Sequence, residues 1–180
     1  MKMARLRLFR YQEELDKHIE FLRLRGFDSI RFPGGTSKNG RHSAFVIFKI
    51  RSINEDYHLV VPYNSSFHLQ ENVETSNEYE NPKRTAVREF KEEVRVKIDA
   101  TSLEFYNMVS VPDNSGGKKM HKKYFYRYKK EIVDFLQYSL DFGEEEEETS
   151  TPFFIKSSLL RDNLFEKHYQ AFSDGWRKQR

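Results

Sequence analysis

The sequence predicts an α/β protein, an α/β/α sandwich around a mixed β-sheet, with an extra helix at the N-terminus. Two observations predict this class. Strand-forming runs lie on both sides of one amphipathic helix at residues 80–96, and a second helical segment, residues 158–172, follows the last of them. Helices in these places cover both faces of a sheet, which is the layer arrangement of a sandwich.

The length and composition exclude several classes of protein. A chain of 180 residues can bury one core, and 31 basic against 28 acidic residues give a net charge of only +3. This charge is too small to indicate a nucleic-acid-binding protein, and it suits an acidic small molecule equally well. The absence of cysteine excludes disulfides, thiolate zinc sites and thiol nucleophiles.

No targeting or membrane segment is apparent in the sequence. The arginine-rich start, residues 1–12, lacks the apolar run of a signal peptide. No stretch approaches the roughly 20 apolar residues that span a bilayer. We therefore expect a cytoplasmic protein without a membrane partner.

The N-terminal part, residues 1–35, is predicted to be an extension that carries an amphipathic helix ahead of a main domain at residues 36–180. Residues 3–9 alternate arginine with leucine, which favours a short strand. A helix is predicted from Tyr11 to Arg25, and we expect it to pack on the main domain or on a second subunit of a homodimer. Its apolar face is formed by Leu15, His18, Ile19 and Leu22.

The first strands of the main domain form a predicted hairpin. The polar run from Pro33 to Arg41 indicates a loop, and the run from Ala44 to Ile50 predicts a central strand. Residues 54–56 then turn the chain into a strand at residues 57–61, through a connection longer than the tightest turns. Pro62 is expected to end or interrupt that second strand.

The later segments continue the pattern of strands followed by a helix. Residues 103–111 and 122–128 predict two antiparallel strands, joined by a turn at residues 113–117. Residues 131–140 fit neither the helical nor the strand period, so both remain open there. Five consecutive glutamates at residues 144–148 precede a short apolar run and the helical segment at residues 158–172.

The central helix carries a group of carboxylates. Asn81 and Pro82 are favourable at a helix start, and the buried stripe is formed by Ala86, Val87, Phe90 and Val94. At 3.6 residues per turn, Glu89, Glu92 and Glu93 lie together on the side away from this stripe. Such like charges destabilise a helix by roughly 0.2–0.5 kcal/mol per pair, so they need cationic partners or a bound metal.

Two interpretations of these carboxylates follow from the residues alone. The first is a solvated face of ion pairs at four-residue spacing, namely Arg84 with Glu80, Lys97 with Glu93 and Arg88 with Glu92. The second is a metal site. Carboxylates without histidine or cysteine among them select a hard divalent cation, Mg²⁺ or Mn²⁺.

The order of residue types in this helix resembles the Nudix box, G-x5-E-x7-R-E-U-x-E-E-x-G-U, where U is an aliphatic or aromatic residue. The matching residues are Glu80, Arg88, Glu89, Phe90, Glu92, Glu93 and Val96. Glu74 and Arg95 stand where the pattern has glycine, which implies reshaped loops at both ends of the helix. The resemblance implies a Nudix-like sandwich and a metal-dependent hydrolase that cleaves a phosphoanhydride bond in a nucleoside diphosphate-linked small molecule.

The resemblance also implies roles for individual residues. Glu92 and Glu93 would be the main metal ligands, and Glu89 a further ligand or the base that activates water. Glu80 would be a weaker ligand, and Arg88 would hold the carboxylates in place. Some members of the family take the base from a loop before the last helix, and the nearest equivalents here are Glu147 and Glu148.

A basic and aromatic segment supplies candidates for substrate contacts. His121 and Lys123 lie among further lysines and directly before Tyr124, Phe125 and Tyr126. Such residues stack a base and bind phosphate. The alternative is a strand whose aromatic residues face the core and whose lysines protect an edge.

Two other functions remain as alternatives to hydrolysis. The glycines missing at Glu74 and Arg95 are also compatible with a catalytically weak Nudix-fold module that binds a nucleotide for regulation. The lysines around His121 and the basic C-terminus suggest nucleic acid, but the modest charge and the lack of a recognition motif oppose that partner.

Overall fold

The computed structural model describes residues 3–4, 6–66, 78–112, 120–133, 140–141 and 151–178. Its helices are α1 (Gln12–Arg23), α2 (Pro82–Val94), α3 (Leu160–Asn163) and α4 (Glu166–Lys178). Its strands are β1 (Met3–Ala4), β2 (Leu8–Phe9), β3 (Ser29–Arg31), β4 (Gly34–Thr36), β5 (His42–Ile47), β6 (Lys49–Ser52), β7 (Glu55–Tyr63), β8 (Leu103–Pro112), β9 (Met120–Tyr128), β10 (Ile132–Val133), β11 (Leu140–Asp141) and β12 (Phe153–Lys156).

Strand β5 shows how the layers are arranged, because all of its residues are buried. Successive side chains of a strand point to opposite faces. Accordingly, Ala44 and Val46 enter the core beneath α2, whereas Phe45 and Ile47 enter the core beneath α1 and α4. Helices therefore cover both faces of the sheet layer. The predicted α/β class and its sandwich arrangement are confirmed.

The strands form two mixed sheets within the described residues, together with a short β1–β11 ribbon. One sheet has the order β4-β5-β9-β8, in which only β5 and β9 are parallel. The other has the order β10-β6-β7-β12-β2, with β3 also paired to β7. The single strand predicted over residues 44–50 is in fact β5 and β6, because the chain passes from one sheet to the other at Phe48.

The N-terminal segment belongs to the same packing. The predicted helix is confirmed as α1, and its Leu15 and Leu22 are buried in the core beneath α4. Strand β2 pairs with β12 in parallel, and Leu6 is buried against the α2 side. The division of the chain at residue 35 and the homodimer both stay predictions.

The predicted hairpin exists, but its connection differs from the prediction. Ser52 pairs with Glu55, so the turn contains only Ile53 and Asn54, with φ angles of 48° and 62°. This is the tightest kind of hairpin turn, and the sequence concealed it because isoleucine rarely adopts positive φ. Pro62 does not interrupt β7 but lies within it, paired with Ile30.

The predicted loop and the predicted C-terminal helix are both corrected. Residues 34–36 form strand β4, which the sequence concealed because two glycines show no alternation of side chains. The helix predicted over residues 158–172 is broken at Leu164, which bridges to Ile30, and at Phe165, whose N–H donates to the Ile30 carbonyl. Pairing with β3 outweighs local helical preference there.

Several predicted segments cannot be compared with the structure, because they fall outside the residues that it describes. The turn at residues 113–117, the glutamate run at residues 144–148 and Glu74 lie outside the described residues. Of residues 131–140, the described ends form strands β10 and β11. None of the helices in the described segments is long and apolar enough to cross a bilayer.

The end of α2 generates a first testable prediction. Arg95 has a φ of 63° and a ψ of 25°, the left-handed conformation in which glycine usually ends a helix. A side chain costs about 1–2 kcal/mol there, whereas glycine loses about 0.5–1 kcal/mol of backbone entropy. We expect the free energy of unfolding of Arg95→Gly to be about 0.5–1 kcal/mol higher than that of Arg95→Ala. Urea denaturation of both variants measures the difference.

The comparison uses alanine because the arginine side chain makes interactions of its own. Both variants lose those interactions, so the difference between them reports the backbone alone. An alanine variant as stable as the glycine variant would contradict a strained helix end.

Candidate active site

Helix α2 forms where its sequence predicts it. The Asn81 side chain accepts a hydrogen bond of 2.9 Å from the Arg84 N–H, and Pro82 occupies the first turn, where no intrahelical donor is needed. Ala86, Phe90 and Val94 are buried in the core below. Strand β4, which pairs with β5 in the sheet beneath α2, lies against the flank of this buried stripe.

Strand β4 lies directly against the carboxylates, a contact that the sequence analysis missed. The Gly34 N–H donates to Glu93 Oε1 at 3.1 Å. A Cβ atom on Gly35 would lie 2.5 Å from Glu89 Oε2, so only glycine allows this approach. The adjacent Pro33-Gly34-Gly35 was the available signal, but it was interpreted as a loop.

The three helix carboxylates consequently have different surroundings. The side chain of Glu92 is 59% exposed, whereas those of Glu89 and Glu93 are only 18% and 21% exposed. The prediction that all three lie together away from the buried stripe is therefore wrong for Glu89 and Glu93. At 3.6 residues per turn they flank the stripe, where β4 covers them, and only Glu92 lies on the far side. The buried pair therefore differs chemically from an ordinary solvated face.

Arg88 binds three carboxylates at once. Its Nε and Nη2 donate to the two oxygens of Glu80 at 2.8 and 2.9 Å, and its Nη1 donates to Glu89 at 2.7 Å and to Glu92 at 3.4 Å. Nη2 also donates to the Thr36 carbonyl of β4 at 3.0 Å. The guanidinium plane thus connects the helix, the segment before it and β4.

Glu80 is held as a buried anion. Its side chain is 7% exposed. Burial alone would raise the pKa of Glu80, but hydrogen bonds from Arg88 and Thr85, the charge of Arg88 and the Lys38 N–H lower it to about 2. A carboxylate with this many donors is well satisfied by the protein itself.

Glu93 is paired with an arginine from outside the helix. Arg31 at the end of β3 lies 3.3 Å from a Glu93 oxygen. Burial raises the pKa of Glu93, while Arg31 and the Gly34 N–H oppose that effect. Of the ion pairs that the sequence suggested at four-residue spacing, the structure contains Arg88 with Glu92. Glu80 and Glu93 are paired with Arg88 and Arg31 instead.

Glu89 is a second carboxylate whose surroundings raise its pKa. Burial raises its pKa to about 7; the charges of Glu92 and Glu93 add to this effect, and Arg88 opposes it. A carboxyl group that ionises near neutral pH can accept a proton from water and release it again.

The carboxylate oxygens of this site are chemically suited to bind a hard divalent cation. Glu89 and Glu93 are adjacent, oxygen-bearing and raised in pKa by burial, and a cation beside them would stabilise both charges. In the described part of the chain, however, no three acidic, histidine or cysteine side chains are already grouped in a way that could hold a metal. Arg88 and Arg31 compensate these carboxylates instead, so the repulsion that suggested a metal has a second explanation.

Of the predicted substrate contacts, the structure describes His121 and Lys123 but not Glu147 and Glu148. His121 and Lys123 are on strand β9 and half-buried, and His121 Nε2 lies 2.7 Å from the Ser43 hydroxyl. Tyr124 and Tyr126 pack on the core beneath α2, as the alternative interpretation of this segment predicted for aromatic residues. Glu147 and Glu148 lie outside the described residues, so their role as a base stays a prediction.

Comparisons with known proteins find likeness among solved structures only. No family model matches the sequence, and no curated protein matches it either. The chain is similar to the Nudix domain of Shewanella oneidensis NrtR, solved in complex with ADP ribose. The identity is 13%, the TM-score is 0.48, and the match covers 77% of this chain and 86% of that one.

Two further solved structures show a similar degree of likeness. The Nudix hydrolase RenU from M. smegmatis is 13% identical with a TM-score of 0.43, over 81% of this chain and 94% of that one. The Ap4A hydrolase of C. elegans is 12% identical with a TM-score of 0.40, over 74% and 96%. TM-scores below 0.5 do not decide what this chain binds or hydrolyses.

The contact between β4 and Glu89 generates a second prediction. In Gly35→Ala, the new methyl group displaces the Glu89 carboxylate, which is the end of a flexible side chain, towards solvent. We expect the pKa of Glu89 to fall from about 7 towards its ordinary value of 4.5, as measured by NMR titration of the side-chain carboxyl carbon.

Gly34→Ala provides the contrast. Gly34 has a φ of 153°, and a Cβ there would collide with the backbone of Ala44 and Phe45, which cannot move aside. We expect Gly34→Ala to lose about 3 kcal/mol or more of stability, and Gly35→Ala to lose less than about 1 kcal/mol. An unchanged titration of Glu89 in Gly35→Ala would show that β4 does not set its environment.

A third prediction concerns stability and pH. Glu89 binds its proton more tightly in the folded protein, with a pKa of about 7, than in the unfolded chain, with a pKa near 4.5. Its ionisation therefore destabilises the fold progressively as pH rises from about 4.5 to 7, and fully above 7. Glu89→Gln cannot ionise at this position. We therefore expect its free energy of unfolding, relative to that of the wild type, to rise by about 2–3 kcal/mol between pH 4.5 and pH 8.

The measurement is chemical denaturation of both proteins without divalent cations at several pH values. Glu104→Gln is the control, since Glu104 is 47% exposed on β8 and paired with Arg127. Parallel pH profiles for Glu89→Gln and the wild type would mean that Glu89 ionises like an ordinary glutamate.

Proposed function

We propose that this protein is a metal-dependent hydrolase that cleaves a phosphoanhydride bond in a nucleoside diphosphate-linked small molecule, a Nudix-type pyrophosphohydrolase. The observation that carries the proposal is the pair Glu89 and Glu93. Both are partly buried against a glycine strand, both have raised pKa values, and both lie in the R-E-x-x-E-E order of α2. Functional sites commonly combine burial with shifted ionisation in this way.

The proposed main ligands of Mg²⁺ or Mn²⁺ are Glu92 and Glu93, with Glu89 as a further ligand or as the base, and Glu80 is the least suited. Glu80 is already saturated by Arg88, Thr85 and the Lys38 N–H, whereas Glu92 is exposed and available to solvent. When bound, a divalent cation neutralises charge on the diphosphate and orients water for attack at phosphorus.

The side chains have distinct proposed roles around that centre. As the base rather than a ligand, Glu89 would accept a proton from the attacking water. Its pKa of about 7 applies to the site without a cation, and a bound cation would lower it. Arg88 keeps Glu89 and Glu92 in place while it remains anchored on Glu80. Arg88 is therefore a positioning residue in this proposal.

A second candidate function rests on the same ion pairs. Arg88 and Arg31 already compensate the charge of the carboxylates without a cation. A protein in which these arginines stay in place would bind a nucleotide without hydrolysing it, and it would act as a regulatory module.

Nucleic acid remains an unfavoured partner of this protein. Its cytoplasmic localisation stays a prediction.

The fourth prediction separates the two functions. A panel of nucleoside triphosphates, nucleotide sugars and dinucleotides is incubated with Mg²⁺ or Mn²⁺ and the products are separated by chromatography. We expect cleavage of at least one compound, its loss when EDTA removes the metal, and a fall of at least about 100-fold in Glu93→Gln, since a ligand charge is removed.

Controls keep this result interpretable. Glu93→Gln retains an oxygen for the Gly34 N–H, so its circular dichroism spectrum should match that of the wild type. Glu104→Gln should retain activity within about twofold, because surface substitutions away from such features have small effects. A panel in which a nucleotide binds but none is cleaved would favour the regulatory module.

A further inference from the structure

Lys123 is a half-buried cation on the side of the sheet that faces α4. Its neighbour Phe125 on β9 enters the core beneath α4, and alternate residues of a strand share a face. The Lys123 ammonium lies 5.8 Å from the ring centroid of Phe45 and 5.7 Å from that of Phe165. Burial, together with the charges of Lys167 and Arg31, lowers the pKa of Lys123 to about 8.

Lys123 differs from the other partly buried cations of the site in its partners. Arg88 and Arg31 each pair with carboxylates. Within the described part of the chain, the Lys123 side chain makes no ion pair or hydrogen bond to an oxygen, and its cation lies near the rings of Phe45 and Phe165. A cation removed from water without a counter-charge is unfavourable, so this position suits an anion supplied from outside.

Arg31 connects Lys123 to the carboxylates. Its guanidinium pairs with Glu93, and its central carbon lies 5.3 Å from the ring centroid of Tyr63 and 6.0 Å from that of Phe45. Tyr63 and Phe165 pack on each other, with centroids 5.0 Å apart. Arg31 thus lies over Tyr63 and Lys123 lies over Phe165. Both cations also lie near the ring of Phe45.

We propose that Lys123 and Arg31, supported by the rings of Phe45, Tyr63 and Phe165, form a subsite that binds a phosphate group of the substrate. This inference rests on the proposed function, because it takes the substrate to be a diphosphate next to Glu93. Two converging cations create a local positive potential that attracts such a group. Lysine acts as a compact point charge and arginine as a planar donor, and both are established ways to hold phosphate.

The experiment measures the binding of inorganic pyrophosphate by isothermal titration calorimetry, in EDTA, on the full chain. We expect Lys123→Met to weaken binding at least tenfold and Lys123→Arg to stay within about threefold of the wild type. Lys122→Met is the matched control, since Lys122 is exposed and points to the opposite side of β9. It should bind within about twofold of the wild type.

A second measurement excludes a merely structural role for Lys123. Replacing an unpaired, half-buried charge by an apolar side chain of similar length should leave the melting temperature equal to the wild-type value or above it. Pyrophosphate binding by the wild type should also weaken with added salt, and less steeply in Lys123→Met. A lower melting temperature in Lys123→Met, with unchanged pyrophosphate binding, would overturn the subsite.

The failure of this inference can be distinguished from failure of the proposed function. Pyrophosphate binding that depends on Lys123, without turnover of any compound in the panel, would reject hydrolysis and support the subsite. Turnover that continues in Lys123→Met with an unchanged KM would support hydrolysis and overturn the subsite. A wild-type protein that binds no pyrophosphate would also overturn it.

Discussion

The ion pair between Arg88 and Glu80 is the interaction on which the rest of the site depends. Both oxygens of Glu80 accept hydrogen bonds from Arg88, and the Glu80 side chain is almost fully buried. Leaving one partner of such a pair unpaired costs about 3–5 kcal/mol, so the pair is effectively obligatory once formed. Because Arg88 also donates to the Thr36 carbonyl, the pair brings β4 against α2 and places glycines beside Glu89 and Glu93.

This arrangement produces two kinds of carboxylate, Glu80 in the segment before α2 and Glu89 on α2 itself. Glu80 accepts four hydrogen bonds, from Arg88, Thr85 and the Lys38 N–H, and they lower its pKa, whereas burial raises the pKa of Glu89. The difference arises from position alone, since both side chains are glutamates of the same motif. One carboxylate is thus fixed as an anion that organises the site, and the other is free to exchange a proton near neutral pH.

The motif that suggested a function was recognisable from the sequence, but its glycines were not. Glu74 and Arg95 occupy the positions where the Nudix pattern has glycine. At Arg95 the backbone takes the left-handed conformation in which glycine usually ends a helix, so the reshaped loop expected at this end is not found. Close approach to the carboxylates is supplied by Gly34 and Gly35, which are far away in the sequence. Spacing along one helix could not reveal that contact.

The sequence by itself determined α1, α2 and the antiparallel pairing of β8 with β9, because these depend on local periodicity and helix caps. Only the tertiary structure decided that β4 crosses the carboxylates, that Arg31 pairs with Glu93, and that Lys123 faces α4. The physical reason is that hydrophobic periodicity depends on residues that are close together in the sequence. The partners of a buried charge instead come from whichever distant segments the folded chain brings together.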